Sequence, residues 1–545
     1  MKREELTDIK EVAAKLNLRA NELQQYGTFA AKIAYDWQQD NLPEAGKLIL
    51  LTATSPTPAG EGKTTTAIGL IDALAKLHKN VCGALREPSM GPTFGLKGGA
   101  CGGGKAQVLP AEDINLHFTG DLAAITQANN LLAACLDNHI YWGNSLQIDP
   151  QRILLKRALD MNDRSLRNFT YTIKQPATVP NAQTYVINGS YTITAASELL
   201  AIFGLAKDFA DLRYRLDHMV LAYNFAGEPV YTRQLKITDA LLTILQTAFN
   251  PNLVQTAEHN PVLLHGGAFA NIANGTNTLV STKLALRLAD YVVTEAGFGS
   301  DLGLEKYCDL LAAPNNLHLA AVVLVSSLRA LKYQAGIKPD DWQKINLAAV
   351  RKGFANLQRH IEIVRTFKRN PYVCLNVFPD DNMEEINYLQ SLLQERGIKL
   401  YVSHVYAAGG EGILPLARDL CCDLEENPSR NTYNLQAETS DFKERIELIA
   451  KKLYGAAAVE FSEQAQADIA AITRQGWQNL PVCIAKTPLS FTDNAKNLNA
   501  PQNFVLTVTS LKPYTGAGFI VAACGKILTL PGLPADPAAC HMRCL

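Results

Sequence analysis

A glycine-rich turn carries the residues best suited to chemistry, and its sequence is Thr57-Pro58-Ala59-Gly60-Glu61-Gly62-Lys63-Thr64. A phosphate-binding loop needs glycines that let backbone N–H groups curl around anionic oxygens. It also needs a Lys for the β- and γ-phosphates, a Ser or Thr for Mg²⁺, and a helix N-terminus. Thr57 stands where the standard pattern has glycine. The turn is therefore predicted to be a variant Walker A loop that binds phosphate groups, with an ordinary strand-to-helix turn as the alternative.

A second candidate group is Arg86-Glu87, which directly follows an apolar run. A guanidinium there can hold a carboxylate or a phosphate in a bidentate fork. Glu87 could orient Arg86, receive a proton or lie near a metal, and the alternative is a structural Arg–Glu ion pair. The stretch 86–105 also contains seven glycines. Such a stretch is either a flexible loop or a backbone that approaches a ligand closely.

Three further segments carry polar residues or glycines at expected strand ends. Glu112–Asp121 contains an Asp and a His four residues apart, which could share a helix face and bind a metal or move a proton. Glu295–Asp301 and Gly409–Gly412 each follow an apolar run. Judged by itself, each segment fits helix capping or hydrogen bonding in the core as well as it fits ligand binding. Together they predict one shared cleft.

The elements that position these residues follow a βαβ pattern. Lys47–Ala53 is a nearly all-apolar run typical of a buried parallel strand, and Asn80–Leu85 is a second one. A helical pattern from Thr64 lies between them, so a right-handed crossover is expected. Further strands are predicted at 291–294, 320–325, 372–377, 399–405, 504–508 and 519–523, and helices over parts of 6–25, 131–136 and 195–203.

The predicted fold class is α/β, with a P-loop-type nucleotide-binding domain on a largely parallel sheet and additional α/β subdomains. Segments rich in Gly and Pro near 370–380 and 430 suggest domain boundaries that divide the chain into three parts. Residues 1–365 would form the large nucleotide-binding domain with an N-terminal helical segment. Residues 366–430 would form a smaller α/β subdomain, and residues 431–545 a C-terminal one.

Composition excludes several classes of protein. The 545 residues carry a formal net charge of −1, which gives no global field for nucleic acid or an anionic membrane. No apolar run reaches the roughly 18 residues of a membrane span, and the charged N-terminus lacks the apolar core of a signal peptide. The eleven cysteines form no C-x-x-C pair. A cytoplasmic, soluble protein is expected.

The motifs, in this order and spacing, resemble the formate–tetrahydrofolate ligase family (10-formyltetrahydrofolate synthetases). The resemblance runs from about residue 6 to Pro534 and is most specific at 56–66, 86–92, 97–104 with 112–121, 295–306 and 519–534. It implies ATP-dependent ligation of formate to tetrahydrofolate through formyl phosphate, with ADP and phosphate released. It also implies Mg²⁺, a monovalent cation (K⁺ or NH₄⁺) and a homotetramer.

The resemblance also implies roles for individual residues. Residues 57–64 would bind ATP, with Lys63 on the phosphates and Thr64 as a Mg²⁺ ligand. Arg86 would clamp the formyl phosphate, and Lys63, Arg86 and Glu87 form the expected catalytic set. The pterin would lie between the rings of Phe378 and Tyr406, with Pro379 beside it. One-carbon metabolism, and specifically tetrahydrofolate interconversion, is the expected setting.

The sequence departs from the family pattern at several positions. Tyr406 stands where the family has Trp, Ala408 where it has Lys, and Lys105 where it has Tyr. Ala535–Leu545 replaces a longer acidic tail. Two alternatives therefore stay open beside the ligase: a switch-type P-loop ATPase, and a homologue of low activity that binds nucleotide or folate.

Overall fold

The computed structural model describes residues 5–58, 60–97, 100–426, 431–525 and 527–542. Within these residues the strands in chain order are β1 (Leu23–Gln25), β2 (Ala31–Ile33), β3 (Lys47–Ala53), β4 (Val81–Leu85), β5 (Gly102–Gly103), β6 (Ala106–Leu109), β7 (Ile148–Ile153), β8 (Arg157–Leu159), β9 (Phe169–Lys174), β10 (Thr184–Gly189), β11 (Tyr191–Ile193), β12 (Val220–Asn224), β13 (Pro229–Tyr231), β14 (Asn252–Thr256), β15 (Pro261–Leu264), β16 (Tyr291–Glu295), β17 (Leu319–Ser326), β18 (Pro371–Asn376), β19 (Leu400–Ser403), β20 (Ala458–Phe461), β21 (Val482–Ala485), β22 (Val505–Tyr514) and β23 (Phe519–Cys524).

Helices lie between most of these strands. In chain order they are α1 (Ile9–Ala14), α2 (Lys63–Lys76), α3 (Met90–Pro92), α4 (Ala111–Asn115), α5 (Asp121–Tyr141), α6 (Glu198–Leu205), α7 (Phe209–Asp217), α8 (Thr238–Leu245), α9 (Leu279–Leu288), α10 (Leu328–Gln334), α11 (Leu347–Thr366), α12 (Met383–Gln394), α13 (Val405–Ala408), α14 (Leu414–Glu426), α15 (Phe442–Ile449) and α16 (Glu463–Arg474). Short 3₁₀ and π turns extend or connect several of them.

The largest sheet has the order β1-β2-β14-β15-β4-β16-β3-β17-β18-β19. From β15 to β19 every neighbouring pair is parallel, whereas β1, β2 and β14 pair antiparallel. The β5–β6 ribbon joins the sheet at β14. This mostly parallel sheet between helices confirms the predicted α/β class.

Parallel pairing brings the carboxyl ends of β3, β4, β16, β17, β18 and β19 to one edge of this sheet, which we call the ligand edge. The central strands are apolar on both faces because helices cover both, and Leu48 to Leu51 are fully buried. Helix α2 packs tightly against α13, since a Cβ on Gly69 would lie 2.3 Å from Val405 Cγ1.

A second, smaller sheet has the order β20-β22-β23-β21. Its central pair, β22 and β23, is antiparallel, and its outer pairs are parallel. Strands β7, β12 and β13 form a third sheet, and β8 with β11 and β9 with β10 form two-stranded ribbons. Strands β18 and β19, within residues 366–430, extend the large sheet, and the three-part division of the chain stays a prediction.

The predicted strands at 47–53, 291–294 and 320–325 are present within one residue at each end. Within the N-terminal helical pattern, Ile9–Ala14 is an α-helix and Ala20–Glu22 a single 3₁₀ turn, and the other residues are not helical. Asn17 adopts a left-handed conformation with φ 59°, and Leu23–Gln25 becomes an edge strand. The 195–203 helix begins at Glu198, where the Ser197 hydroxyl caps it.

No helix in the described ranges is long and apolar enough to cross a membrane.

Candidate functional site

The 57–64 loop connects the centre of the large sheet to helix α2. Gly60 and Gly62 have φ of +85° and +72°, the left-handed region that favours glycine. A Cβ on Gly62 would lie 2.2 Å from Asn376 Nδ2, so glycine is also needed for the close approach to the end of β18. Within the part of the chain that the structure describes, no side chain caps the N-terminus of α2. The N–H groups of its first turn are in the position from which a helix N-terminus binds phosphate in phosphate-binding loops. Ala59 lies outside the described residues.

A buried carboxyl group braces this loop from within. Glu61 accepts a hydrogen bond from the backbone N–H of Thr57 (2.7 Å) and another from the hydroxyl of Ser327, which follows β17. Burial raises the pKa of Glu61. The Thr57 N–H is therefore used internally rather than offered to a ligand. Glu61 therefore stabilises the conformation of the loop.

The carboxylate of Glu295 joins the 57–64 loop to Arg86. Strand β16 lies between β3 and β4, so Glu295 at its carboxyl end reaches the segment after each. Thr64 Oγ1 donates to Glu295 Oε2 at 2.8 Å, and Arg86 Nη2 donates to Glu295 Oε1 at 3.1 Å. Lys63 Nζ donates to the Phe298 carbonyl (2.9 Å) in the loop that follows. Three predicted site residues thus converge on one strand end.

Electrostatics keep Glu295 ionised although it is buried. Burial opposes its negative charge, but the Arg86 guanidinium, Lys63 and the Thr64 hydroxyl outweigh that effect and hold the pKa of Glu295 below its ordinary value. An ionised acid beside a Thr hydroxyl offers oxygen ligands of the kind that Mg²⁺ prefers. Sequence reasoning flagged the 295–301 segment but gave Glu295 no role.

The expected partnership between Arg86 and Glu87 is absent. Arg86 pairs with Glu295, whereas Glu87 is 4% exposed and its Oε2 has no hydrogen-bond partner among the residues that the structure describes. In extended backbone, consecutive side chains point in opposite directions, so neighbours in sequence face different surroundings. Of the three roles considered for Glu87, orienting Arg86 does not fit this geometry, and its place in the catalytic set stays a prediction.

Glu87 belongs to a buried group of charges on the other side of the chain. Its surroundings include Lys32, Asp121 and Asp160, and Lys32 Nζ lies 2.8 Å from Asp121 Oδ1. Burial, followed by the charge of Asp121, raises the pKa of Glu87 well above its ordinary value. Glu87, Asp121 and Asp160 thus lie in one buried region with the Lys32 ammonium, which contacts Asp121. Such a group holds a proton or a cation more readily than it holds an anion.

His360 connects the start of the 57–64 loop to the segment after Glu295. The Ser55 backbone N–H donates to His360 Nε2 at 2.7 Å, so that nitrogen is unprotonated. The other ring nitrogen, Nδ1, therefore carries the proton and donates to Ser300 Oγ at 2.7 Å. Burial lowers the pKa of His360 to about 4, which keeps the ring neutral. Sequence reasoning missed this residue because it lies mid-helix in α11.

The predicted pterin residues follow neighbouring strands. Phe378 lies just after β18, its backbone N–H donates to Asp381 Oδ2 (2.9 Å), and the Arg329 guanidinium lies over its ring at 3.8 Å. Pro379 is exposed. Asn376 at the end of β18 pairs with Ser403 at the end of β19. One face of the Phe378 ring is thus covered by a cation.

Tyr406 lies in α13, directly after β19. Its side chain is 54% exposed, and its ring lies against the glycines of the β5–β6 ribbon. A Cβ on Gly103 would lie 3.1 Å from Tyr406 Cε2, and one on Gly104 would lie 2.0 Å from the Tyr406 carbonyl oxygen. Lys105 N donates to that carbonyl at 2.9 Å. The glycine-rich stretch therefore makes room for Tyr406.

The segment around residues 112–121 does not form the metal group considered above. Helix α4 ends at Asn115, so Asp113 and His117 do not share a helix face. Asp121 is instead paired with Lys32 and hydrogen-bonded by Asn252 Nδ2 at 2.7 Å. No group of three or more His, Cys, Asp and Glu side chains suited to a metal ion occurs within the described ranges.

A strand end, a glycine turn and a helix N-terminus, with a lysine and a guanidinium beside them, are the means by which α/β enzymes hold phosphate esters. Residues 1–544 match the family model described as formate–tetrahydrofolate ligase, so the chain belongs to that family. It is an ATP-dependent ligase, and its substrates are formate, ATP and tetrahydrofolate.

Proposed function

We propose that the ligand edge carries out the ligation in two steps, with formyl phosphate between them. In the first step a formate oxygen attacks the γ-phosphorus of ATP, and ADP leaves. In the second step N10 of tetrahydrofolate attacks the formyl carbon, phosphate leaves, and the N10 proton is lost. The order follows from chemistry, because formate is a poor electrophile until one oxygen becomes part of a phosphate leaving group.

Residues 57–64 would bind the nucleotide, with the helix N-terminus and Lys63 on its phosphates. Arg86 would clamp the formyl phosphate, since a guanidinium fork matches carboxylate and phosphate oxygens. The observation that carries this proposal is the Glu295 carboxylate, which contacts both Thr64 and Arg86. It joins the nucleotide side of the site to the formate side and fixes their separation. Positioning of this kind supplies much of the catalysis in phosphoryl transfer.

The pterin would bind between Phe378 and Tyr406, with Pro379 at the rim. Support comes from the exposed Tyr406 ring and from the strand ends that carry the two aromatics side by side. Tyr offers a smaller stacking face than the Trp of the family pattern. We expect a weaker tetrahydrofolate affinity than that pattern would give, with the chemistry unchanged.

Two cations would complete the site. Mg²⁺ would be held by the Thr64 hydroxyl, the Glu295 carboxylate and the nucleotide phosphates, and it would supply charge neutralisation during phosphoryl transfer. A monovalent cation, K⁺ or NH₄⁺, is proposed from the family alone, because the described residues contain no group of three or more His, Cys, Asp and Glu side chains suited to a metal ion. Glu87 stays in the proposed catalytic set, buried beside the charges of Asp121 and Lys32.

We further propose a homotetramer in the cytoplasm. The location is supported by the cysteines of the described ranges, which are all free thiols, eight of them buried or partly buried. The tetramer is supported by the family alone. Sedimentation of the purified chain tests the assembly, and a mass of one or two subunits would exclude it.

The test of the function is ADP production by the purified protein with Mg-ATP and K⁺, with formate and tetrahydrofolate each present or omitted. Turnover that needs both substrates, with 10-formyltetrahydrofolate formed in equal amount to ADP, is expected. ATP binding without turnover would favour the low-activity homologue. ATP hydrolysis indifferent to formate would favour an ATPase.

A further inference from the structure

A cavity of about 190 Å³ lies between helix α6, the second sheet and the loop of residues 265–277, which is part of the connection from β15 to α9. Its lining is mostly apolar and includes Leu155, Met219, Ile272 and Val521. The wall also carries polar side chains, among them Lys156, Lys512 and Glu198. An apolar pocket with a few converging polar groups is the usual form of a small-molecule site.

Two ammonium groups on this wall have capacity left for a ligand. Lys512 Nζ donates to the Leu154 carbonyl at 3.0 Å, and Lys156 Nζ donates to Thr529 Oγ1 at 3.3 Å. Each ammonium has three N–H donors, so two remain on each. Among the residues that the structure describes, neither ammonium forms an ion pair with a carboxylate. Burying two lysine ammoniums in this wall without an ion pair costs free energy.

Glu198 attracts Lys512 but can balance only one of the two lysines. Glu198 Oε1 accepts the backbone N–H of Gly516 at 3.0 Å, and its group is buried. Burial raises the pKa of Glu198 to about 7, and burial followed by the charge of Lys156 lowers the pKa of Lys512 to about 8. The two ammoniums therefore repel each other, and the wall carries a net positive charge.

We propose that this cavity is a binding site for a small monocarboxylate with an apolar tail. The carboxylate would accept from the Lys156 and Lys512 ammoniums, and the tail would lie along Met219, Ile272 and Val521. A cavity of comparable size in a protein core holds a ligand of about six non-hydrogen atoms. Butyrate has that size and charge and serves as the probe.

The site is separate from the ligase chemistry but shares a wall with it. Phe269 N donates to the Ala195 carbonyl at 2.8 Å, and Gly297 N donates to the Gly275 carbonyl at 2.9 Å. Ile272 thus lies on a loop that is attached to the cavity at one point and to the surroundings of Arg86 at another. A carboxylate could also enter the formate pocket, and the experiment must separate the two sites.

Butyrate binding to the purified full-length protein is measured by calorimetry, with butylamine and 1-butanol as probes of equal length and different charge. We expect binding of butyrate alone. Lys512→Met should weaken it at least about tenfold, the worth of one charge-assisted contact. Ala523→Leu keeps both ammoniums and fills the cavity, so it should also weaken binding at least about tenfold. This second variant decides the outcome if Lys512→Met does not fold.

Arg86→Ala controls for the formate pocket and should leave the butyrate affinity within about twofold of the wild type. Loss of butyrate binding in Arg86→Ala would assign the effect to the ligase site and overturn the proposal. Equal binding of butylamine would overturn it too, as would wild-type affinity in both Lys512→Met and Ala523→Leu, or an absence of butyrate binding to the wild type.

Discussion

Replacing Glu295 by Gln tests the central contact of the site. The substitution keeps the side-chain volume and removes the charge that Arg86 (3.1 Å) and Thr64 (2.8 Å) contact. A hydrogen bond to a charged group is worth about 1.5–3 kcal/mol, and about 1.36 kcal/mol is a factor of ten in rate. If the lost positioning appears in the transition state, kcat/KM for formate falls about 10- to 150-fold. Saturating ATP should not restore it.

A matched control comes from helix α5. Asp137 accepts from an Arg guanidinium (Arg157, 2.5 Å) and from a hydroxyl (Tyr171, 2.8 Å), the same pair of donors that Glu295 has. Asp137→Asn should therefore cost comparable stability without changing the formate kinetics. Steady-state assays with formate varied at saturating ATP and tetrahydrofolate make the comparison. Wild-type kcat/KM in Glu295→Gln, or an equal loss in Asp137→Asn, would refute the reasoning.

The same variant has a pH signature in stability. The pKa of Glu295 is lowered in the folded protein, so the unfolded chain binds its proton more readily and the ionised group stabilises the fold at neutral pH. That contribution is present above the ordinary Glu pKa of about 4.3 and is lost as the pH falls through the lower folded value. The Tm difference between the wild type and Glu295→Gln should be constant from pH 6 to 8 and shrink below about pH 4.

Three further variants test neighbouring assignments. Lys63→Ala should lower ATP-dependent turnover about 10²- to 10³-fold with an unchanged circular dichroism spectrum, because it removes a phosphate contact; wild-type turnover in the folded variant would remove Lys63 from the mechanism. Tyr406→Trp should lower KM for tetrahydrofolate about two- to tenfold, the worth of about 0.5–1.5 kcal/mol of added stacking, and an unchanged KM would count against stacking there. His360→Gln should lower the free energy of unfolding by about 1–3 kcal/mol, because the Ser55 N–H loses its acceptor, His360 Nε2. Since the folded His360 stays neutral to about pH 4 while the unfolded ring takes up a proton near 6.5, wild-type stability should decrease from pH 6.5 to 4 more steeply than that of the variant; parallel curves in urea titrations would contradict this.

The large sheet could be predicted from the sequence because its central strands are buried on both faces. Lys47–Ala53 is apolar at nearly every position, and the structure begins and ends that strand at the predicted residues. The N-terminal pattern failed because Leu23 and its neighbours fit a helix period and an edge strand equally well. A left-handed Asn17 decides between them, and single-residue conformations of that kind are not visible in periodicity.

The contacts within the candidate site were less predictable than its location. Strand ends and glycine turns indicated the ligand edge. The acidic partner of Arg86, however, could be chosen only by closeness in sequence, and that suggested Glu87. Its partner Glu295 lies 209 residues further along the chain. The order of strands across the sheet makes them neighbours, and this order is not encoded in local pattern. The roles of Lys63, Thr64, Phe378 and Tyr406 stay predictions.

The order of strands also determines when the site can come into being during synthesis. Strand β3, which leads into the 57–64 loop, has β16 and β17 as its neighbours, and both are made more than 200 residues later. A nascent chain of 280 residues already contains Lys63 and Arg86 but neither strand that holds β3 in place. Pairing between strands so far apart in sequence slows folding, and the apolar strand β3 stays unpaired until β16 and β17 are made. Nucleotide binding should therefore appear only at the end of refolding, as a single late event.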